Sequence, residues 1–203
     1  MHAQNVALIL VDLQVDFMPS GMLPVAEGDQ VVPLANALMP AYHTVVATQD
    51  WHPANHGSFA ANHPWRKPGQ VIELHGLQQI LWPIHCVQET WGAEFVANLD
   101  TDNITKVFQK GTDPTVDSYS GFYDNGRRKS TGMAEWLKEQ GIDEVQVLGL
   151  ATDFCVKFTV LDALQEGFKT SLIRAATRGV EMEAGDVERA VEEMLTAGAE
   201  ILV

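Results

Sequence analysis

Six consecutive apolar residues, Val6-Ala7-Leu8-Ile9-Leu10-Val11, end abruptly at Asp12. An apolar run without alternation predicts a strand buried on both faces, as in parallel sheets covered by helices on each side. The rest of the chain obeys that constraint. Helical patterning at Val31 to Met39, Gly132 to Gln140 and Phe154 to Glu166 alternates with strand-like runs at Thr44 to Ala47, Ile104 to Phe108, Glu144 to Leu148 and Lys169 to Ile173. Asp186 caps a last amphipathic helix, and Glu200 to Val203 reads as an edge strand. The expected fold is α/β: a three-layer, doubly wound, mainly parallel six-stranded sheet with helices on both faces and right-handed crossovers. With no repeat or Gly/Ser linker, residues 1–203 are read as a single domain.

A net charge of -14 argues against nucleic acid and anionic membranes as partners. The first apolar run lacks a basic leader and is too short for a signal peptide or a membrane span. Two cysteines without a secretion signal suggest a cytoplasmic setting, with a Cys86–Cys155 disulfide as the minor alternative. No G-x-G-x-x-G or P-loop follows the first strand, which disfavours nucleotide binding. The chain is expected to be a monomer or a homodimer.

Open α/β sheets bind ligands beyond the carboxyl ends of their strands. Asp12, Asp50, Lys110 and the turn before Cys155 all fall there. Thr152 and Asp153 are natural N-caps, which places Cys155 in a first helical turn, where the helix dipole favours a thiolate. Cys155 is a candidate nucleophile, although a small buried packing residue fits its position equally well. Lys110 alone reads as a solvated lysine and Asp12 alone as a cap. Together they make a charge-assisted nucleophile: Asp12 takes the thiol proton, Lys110 holds the pair, and backbone N–H groups at Ala151 and Cys155 form an oxyanion hole. Asp50 and His52 stand two apart before Pro53, which biases His52 toward extended chain, so both point the same way. With His85 they would form a two-histidine, one-carboxylate metal site. His56 and His63 read as loop histidines, Cys86 as a buried structural residue, and Phe17 as either core or pocket wall. His2, His43 and His75 carry no functional expectation.

The segments Val11-Asp12-Leu13-Gln14-Val15-Asp16-Phe17, Thr48-Gln49-Asp50-Trp51-His52-Pro53, Trp82-Pro83-Ile84-His85-Cys86, Lys110-Gly111 and Gly149 to Cys155 together resemble the nicotinamidases of the isochorismatase-like hydrolase superfamily. The resemblance spans essentially the whole chain. It implies hydrolysis of nicotinamide to nicotinate and ammonia in NAD salvage, and of the analogue pyrazinamide. It implies a catalytic triad of Asp12, Lys110 and Cys155, an oxyanion hole from Ala151 and Cys155, and a cis peptide at Ala151-Thr152. It also implies one divalent metal ion on Asp50, His52 and His85, with zinc favoured over iron or manganese, and aromatic contacts to the ring from Phe17 and Trp82. Some relatives add a ligand from the loop after His52, which leaves open whether His56 binds metal. The rival readings are an amidase for N-carbamoyl or ureido substrates, whose relatives generally lack the metal set, and a non-catalytic binding module, which the triad disfavours.

Overall fold

The computed structural model describes residues 4–203, so Met1, His2 and Ala3 lie outside it. Strand β1 (Val6–Val11) is fully buried along its length, and alternate residues feed opposite cores. Leu8 and Leu10 pack with Val31, Val32 and Ala35 of α1 (Val31–Leu38). Ala7, Ile9 and Val11 point the other way, into a core shared with α2 (Met133–Glu139), α3 (Lys157–Gln165) and α4 (Asp186–Thr196). Side-chain alternation along a strand therefore supplies both helical layers from one apolar run.

Beside β1 lie β2 (Thr44–Asp50) and β6 (Glu144–Leu150), flanked by β5 (Lys106–Lys110) on one side and by β7 (Lys169–Arg178) and β8 (Glu200–Leu202) on the other. The order is β5-β2-β1-β6-β7-β8, and every pairing is parallel. The expected three-layer, six-stranded doubly wound sheet is present. A separate antiparallel hairpin, β3 (Val71–Leu74) with β4 (Leu77–Ile80), has no counterpart in the sequence reading. Its strands are only four residues each and only partly buried, too short for an apolar pattern to mark them as strands.

The strands run further than hydropathy predicts, and that matters for the site. Thr48↔Phe108, Gln49↔Gln109 and Asp50↔Lys110 remain in register beyond the apolar parts of β2 and β5. Asp50 and Lys110 are consequently the last residues of neighbouring strands rather than loop residues. Polar side chains at strand ends are paired through backbone bonds, to which hydropathy is blind.

Two cap expectations are corrected. Thr152 and Asp153 lie inside a π-type turn, Thr152–Val156, whose N-cap is Ala151, and neither side chain caps it. Their oxygens are committed elsewhere: Thr152 to Thr177, Asp153 to the backbone at Val180 and Glu181. Gly185, at φ 88°, precedes α4, with Asp186 as its first residue. The cis peptide stands at Leu150-Ala151, one bond earlier than expected.

Candidate active site

Asp12 follows the last residue of β1 with φ 50° and is completely buried. Its backbone N–H donates to Thr48 Oγ1 at 3.2 Å, and Thr48 Oγ1–H donates to Asp12 Oδ1 at 2.6 Å. Thr48 was not anticipated; being two residues before Asp50 on β2, it shares that residue's face. Across the rim, Lys110 sends its ammonium between two carboxylates and a thiol. It donates to Asp50 Oδ1 at 2.6 Å, to the Ser118 carbonyl at 3.0 Å and to Cys155 Sγ at 3.4 Å. Those three bonds use all three ammonium protons. Asp12 Oδ2 lies 2.9 Å from the same nitrogen, yet it receives no directed hydrogen bond. We read that contact as an ion pair that leaves one Asp12 oxygen open to a proton.

The charges are balanced by burial as much as by pairing. Burial raises the Asp12 carboxyl above its ordinary value, and Lys110 only partly offsets it. Asp50 is equally buried, but Lys110 and His52 together overcome that burial and hold it well below the usual carboxylate range. For Lys110, burial favours the neutral amine, while Asp12 and Asp50 outweigh it and keep the ammonium charged far into the alkaline range. Burial likewise pushes the Cys155 thiol well up, against the pull of Lys110. The helix terminus and Lys110 favour a thiolate, as expected from the sequence, but burial outweighs them and holds the proton on Cys155, ready for Asp12 to take. Removing a large thiolate from water costs more than one ammonium and a turn of helix return.

Asp50 faces the second half of the site with its other oxygen. Asp50 Oδ2 is 3.2 Å from His52 Nε2 and 3.6 Å from His85 Nε2, and the three candidate donor atoms lie within 4.8 Å of one another. Each ring is oriented from behind: His52 Nδ1 donates to the Gly111 carbonyl at 2.9 Å, and His85 Nδ1 to the Pro83 carbonyl at 2.8 Å. A carbonyl only accepts, so in the neutral rings both Nε2 lone pairs turn inward, which is the outer-sphere arrangement of a histidine metal site. Gly111 sits at φ 64°, and a Cβ there would stand 2.3 Å from His52 Cε1, so the close approach needs glycine. Gln14 pins Asp50 by accepting from its N–H and donating to its carbonyl, both at 2.8 Å. Asp16 holds the other ligand's loop by accepting from Cys86 N at 2.7 Å. Cys86 itself is a buried free thiol, as is Cys155, and no disulfide joins them.

His56, left open by the sequence, is buried beside His52 with ring centroids 4.3 Å apart. It also groups with His52 and Asp117 as a possible donor set. Its Nδ1 accepts from Ser58 N at 3.2 Å, so the neutral ring carries its proton on Nε2, which has no partner. Burial pushes this imidazole down to about 4, so it is neutral at ordinary pH. His56 therefore meets the cluster as an N–H donor rather than as a lone pair. His63 Nε2 is bound to the Gly57 carbonyl, apart from the cluster.

Between the two halves opens a slot of ≈ 390 Å³ including its mouth, and Phe17, Trp82, Ala151 and Cys155 all reach it. Asp50 and His85 also line it, as do Leu23, Asp117, Tyr119, Phe154 and Val180, and none of these last five was marked as a site residue from the sequence. Tyr119 orients one wall, since its hydroxyl accepts from Trp82 Nε1 at 3.2 Å.

The isochorismatase domain model matches residues 6–202. The chain belongs to the isochorismatase family. As a member of that family it is 52% identical over 200 residues to a nicotinamidase of Escherichia coli (strain K12), which covers 95% of this chain and 92% of that protein. Its fold is similar to that of a nicotinamidase/pyrazinamidase from Acinetobacter baumanii, with a TM-score of 0.96 at 44% identity over 100% of this chain and 97% of that one. A pyrazinamidase of Pyrococcus horikoshii in complex with zinc matches at a TM-score of 0.78 and 40% identity, over 98% of each chain.

Proposed function

We propose that this isochorismatase-family enzyme is an amidohydrolase that cleaves nicotinamide to nicotinate and ammonia, and also accepts pyrazinamide. The observation that carries the reading is Lys110 Nζ standing 3.4 Å from Cys155 Sγ and 2.9 Å from Asp12, beside the Asp50/His52/His85 donors. It is supported by the extended identity to nicotinamidases.

Asp12 acts first as a base. The Cys155 S–H proton passes to the open Asp12 oxygen while sulfur adds to the amide carbon. Lys110, bonded to the same sulfur, stabilises the charge that develops there. The carbonyl oxygen becomes an oxyanion held by the N–H groups of Ala151 and Cys155. Asp12 then returns the proton to the departing nitrogen, the C–N bond breaks, and ammonia leaves a Cys155 thioester. Water, deprotonated by Asp12, attacks that thioester, so nicotinate departs and the thiol re-forms. Phe17 and Trp82 hold the ring.

The donor set fits one divalent ion on Asp50, His52 and His85, and zinc is our assignment, with iron and manganese equally suited to these atoms. Such an ion, held by Asp50, His52 and His85, would supply a Lewis-acid contact for the substrate ring. We further place the enzyme in the cytoplasm, reading residues 1–203 as one domain, monomeric or homodimeric, without nucleic-acid or membrane partners. Two free thiols fit a reducing compartment, and among the described residues no helix is long and apolar enough to cross a membrane.

Ammonia release from nicotinamide by the purified protein, before and after chelation, is the direct test. Release lost on chelation and restored by zinc is expected. No release from fully metal-loaded protein would refute the substrate assignment.

A further inference from the structure

The turn that presents Cys155 also carries Asp153, a 6% exposed carboxylate that the chemistry above does not use. Both of its oxygens cross to the segment that follows β7. Oδ1 accepts from Val180 N at 2.9 Å and Oδ2 from Glu181 N at 2.8 Å. Charge-assisted bonds to two successive backbone donors fix the position of those donors. A second tie lies beside the first, with Thr152 Oγ1 at 2.6 Å from Thr177 Oγ1. The segment is closely fitted: a Cβ on Gly179 would lie 2.1 Å from Val187 Cγ2 and 3.1 Å from Asp153 Oδ1. At its far side the Glu181 carboxylate accepts from Gly185 N and Val187 N, which anchors it to the start of α4. Val180, the residue held between these anchors, lines the slot that Cys155 also reaches.

We infer that Asp153 is a positioning residue that fixes the Val180 wall relative to Cys155, and so limits the slot to small aromatic carboxamides without bulky ring substituents. The inference rests on the substrate reading above. One carboxylate on the nucleophile's own turn holds the wall, so wall and sulfur keep a fixed separation. Cutting that tie should loosen the wall while leaving the Asp12–Lys110–Cys155 contacts intact.

Steady-state kinetics of Asp153→Ala, Asp153→Asn and Val180→Ala on nicotinamide and 5-methylnicotinamide test this, together with iodoacetamide alkylation of Cys155. A wall that binds ground and transition state alike affects KM more than kcat. Asp153→Ala should raise KM for nicotinamide about tenfold with kcat within about threefold of wild type, and the preference for nicotinamide over its methylated analogue should shrink about tenfold. Asp153→Asn, which keeps one acceptor, should fall between Asp153→Ala and wild type. Val180→Ala should relax the same preference. A parallel fall in kcat for both amides, with their ratio unchanged, would overturn the proposal, because a merely structural role predicts that pattern. Should Asp153→Ala fail to fold, an unchanged ratio in Val180→Ala overturns it instead. Alkylation separates this inference from the substrate reading. If wild type proves inactive on nicotinamide, that reading fails, while faster alkylation of Cys155 in Asp153→Asn still supports the wall and an unchanged rate refutes it.

Discussion

At Lys110 a fully enclosed ammonium faces two carboxylates and a thiol, so each substitution around it has a sign. Lys110→Met leaves Asp12 and Asp50 without their counter-charge, and removing one partner from a buried ion pair costs about 3 kcal/mol or more. Loss of activity should come with a clearly lowered melting temperature. Asp12→Asn acts oppositely on stability. Burial raises the Asp12 carboxyl in the folded state, so its ionised form opposes folding at neutral pH. The asparagine variant should be inactive yet at least as stable as wild type, with ~2–4 °C gained per kcal/mol recovered in a chain of this length; a large fall in melting temperature would contradict that balance. Cys155→Ala should abolish turnover and leave metal content unchanged, as mass spectrometry of the purified variant can show.

At the scale of the elements, the metal donors depend on where strands end and on what stands behind each ring. His52 is steered by the Gly111 carbonyl just past β5, and Gly111 leaves no room for a side chain. Gly111→Ala should therefore weaken metal binding by ~10–100-fold, the range for losing an outer-sphere partner, although residue 111 is not itself a ligand. Titration with a competing chelator measures this, and unchanged affinity would remove Gly111 from the role. His52→Ala, which deletes a donor, should lose the ion outright.

Over the whole molecule, the ionisation pattern sets a pH profile. Asp12 must be ionised to accept the thiol proton, so kcat/KM should fall with acid through a value above the ordinary 3.8. Lys110 keeps its proton beyond 10.5, and the Cys155 thiol stays protonated beyond 9.0, both on the same burial and pairing arguments. Activity should accordingly hold across neutral and mildly alkaline pH. Cys155 alkylation should likewise accelerate only in the alkaline range. Rapid alkylation already saturated near neutrality would mean that the resting nucleophile is a thiolate.

The order of apolar runs determined the sheet and its layers, because a strand buried on both faces admits few neighbours other than helices. The rim positions of Asp12, Asp50 and Lys110 followed from the same logic. The π-type turn, the hairpin at Val71 to Ile80 and the ladder beyond Ala47 were invisible, since backbone pairing leaves no mark on hydropathy. Partners brought from a distance were equally hidden: Ser118 beneath Lys110, Thr48 against Asp12, and Val180 held by Asp153. The protonation state of Cys155 was the clearest case. A helix terminus and a nearby cation favour a thiolate, but the opposing cost of burial depends on every atom that excludes water from the sulfur, which only the tertiary structure supplies.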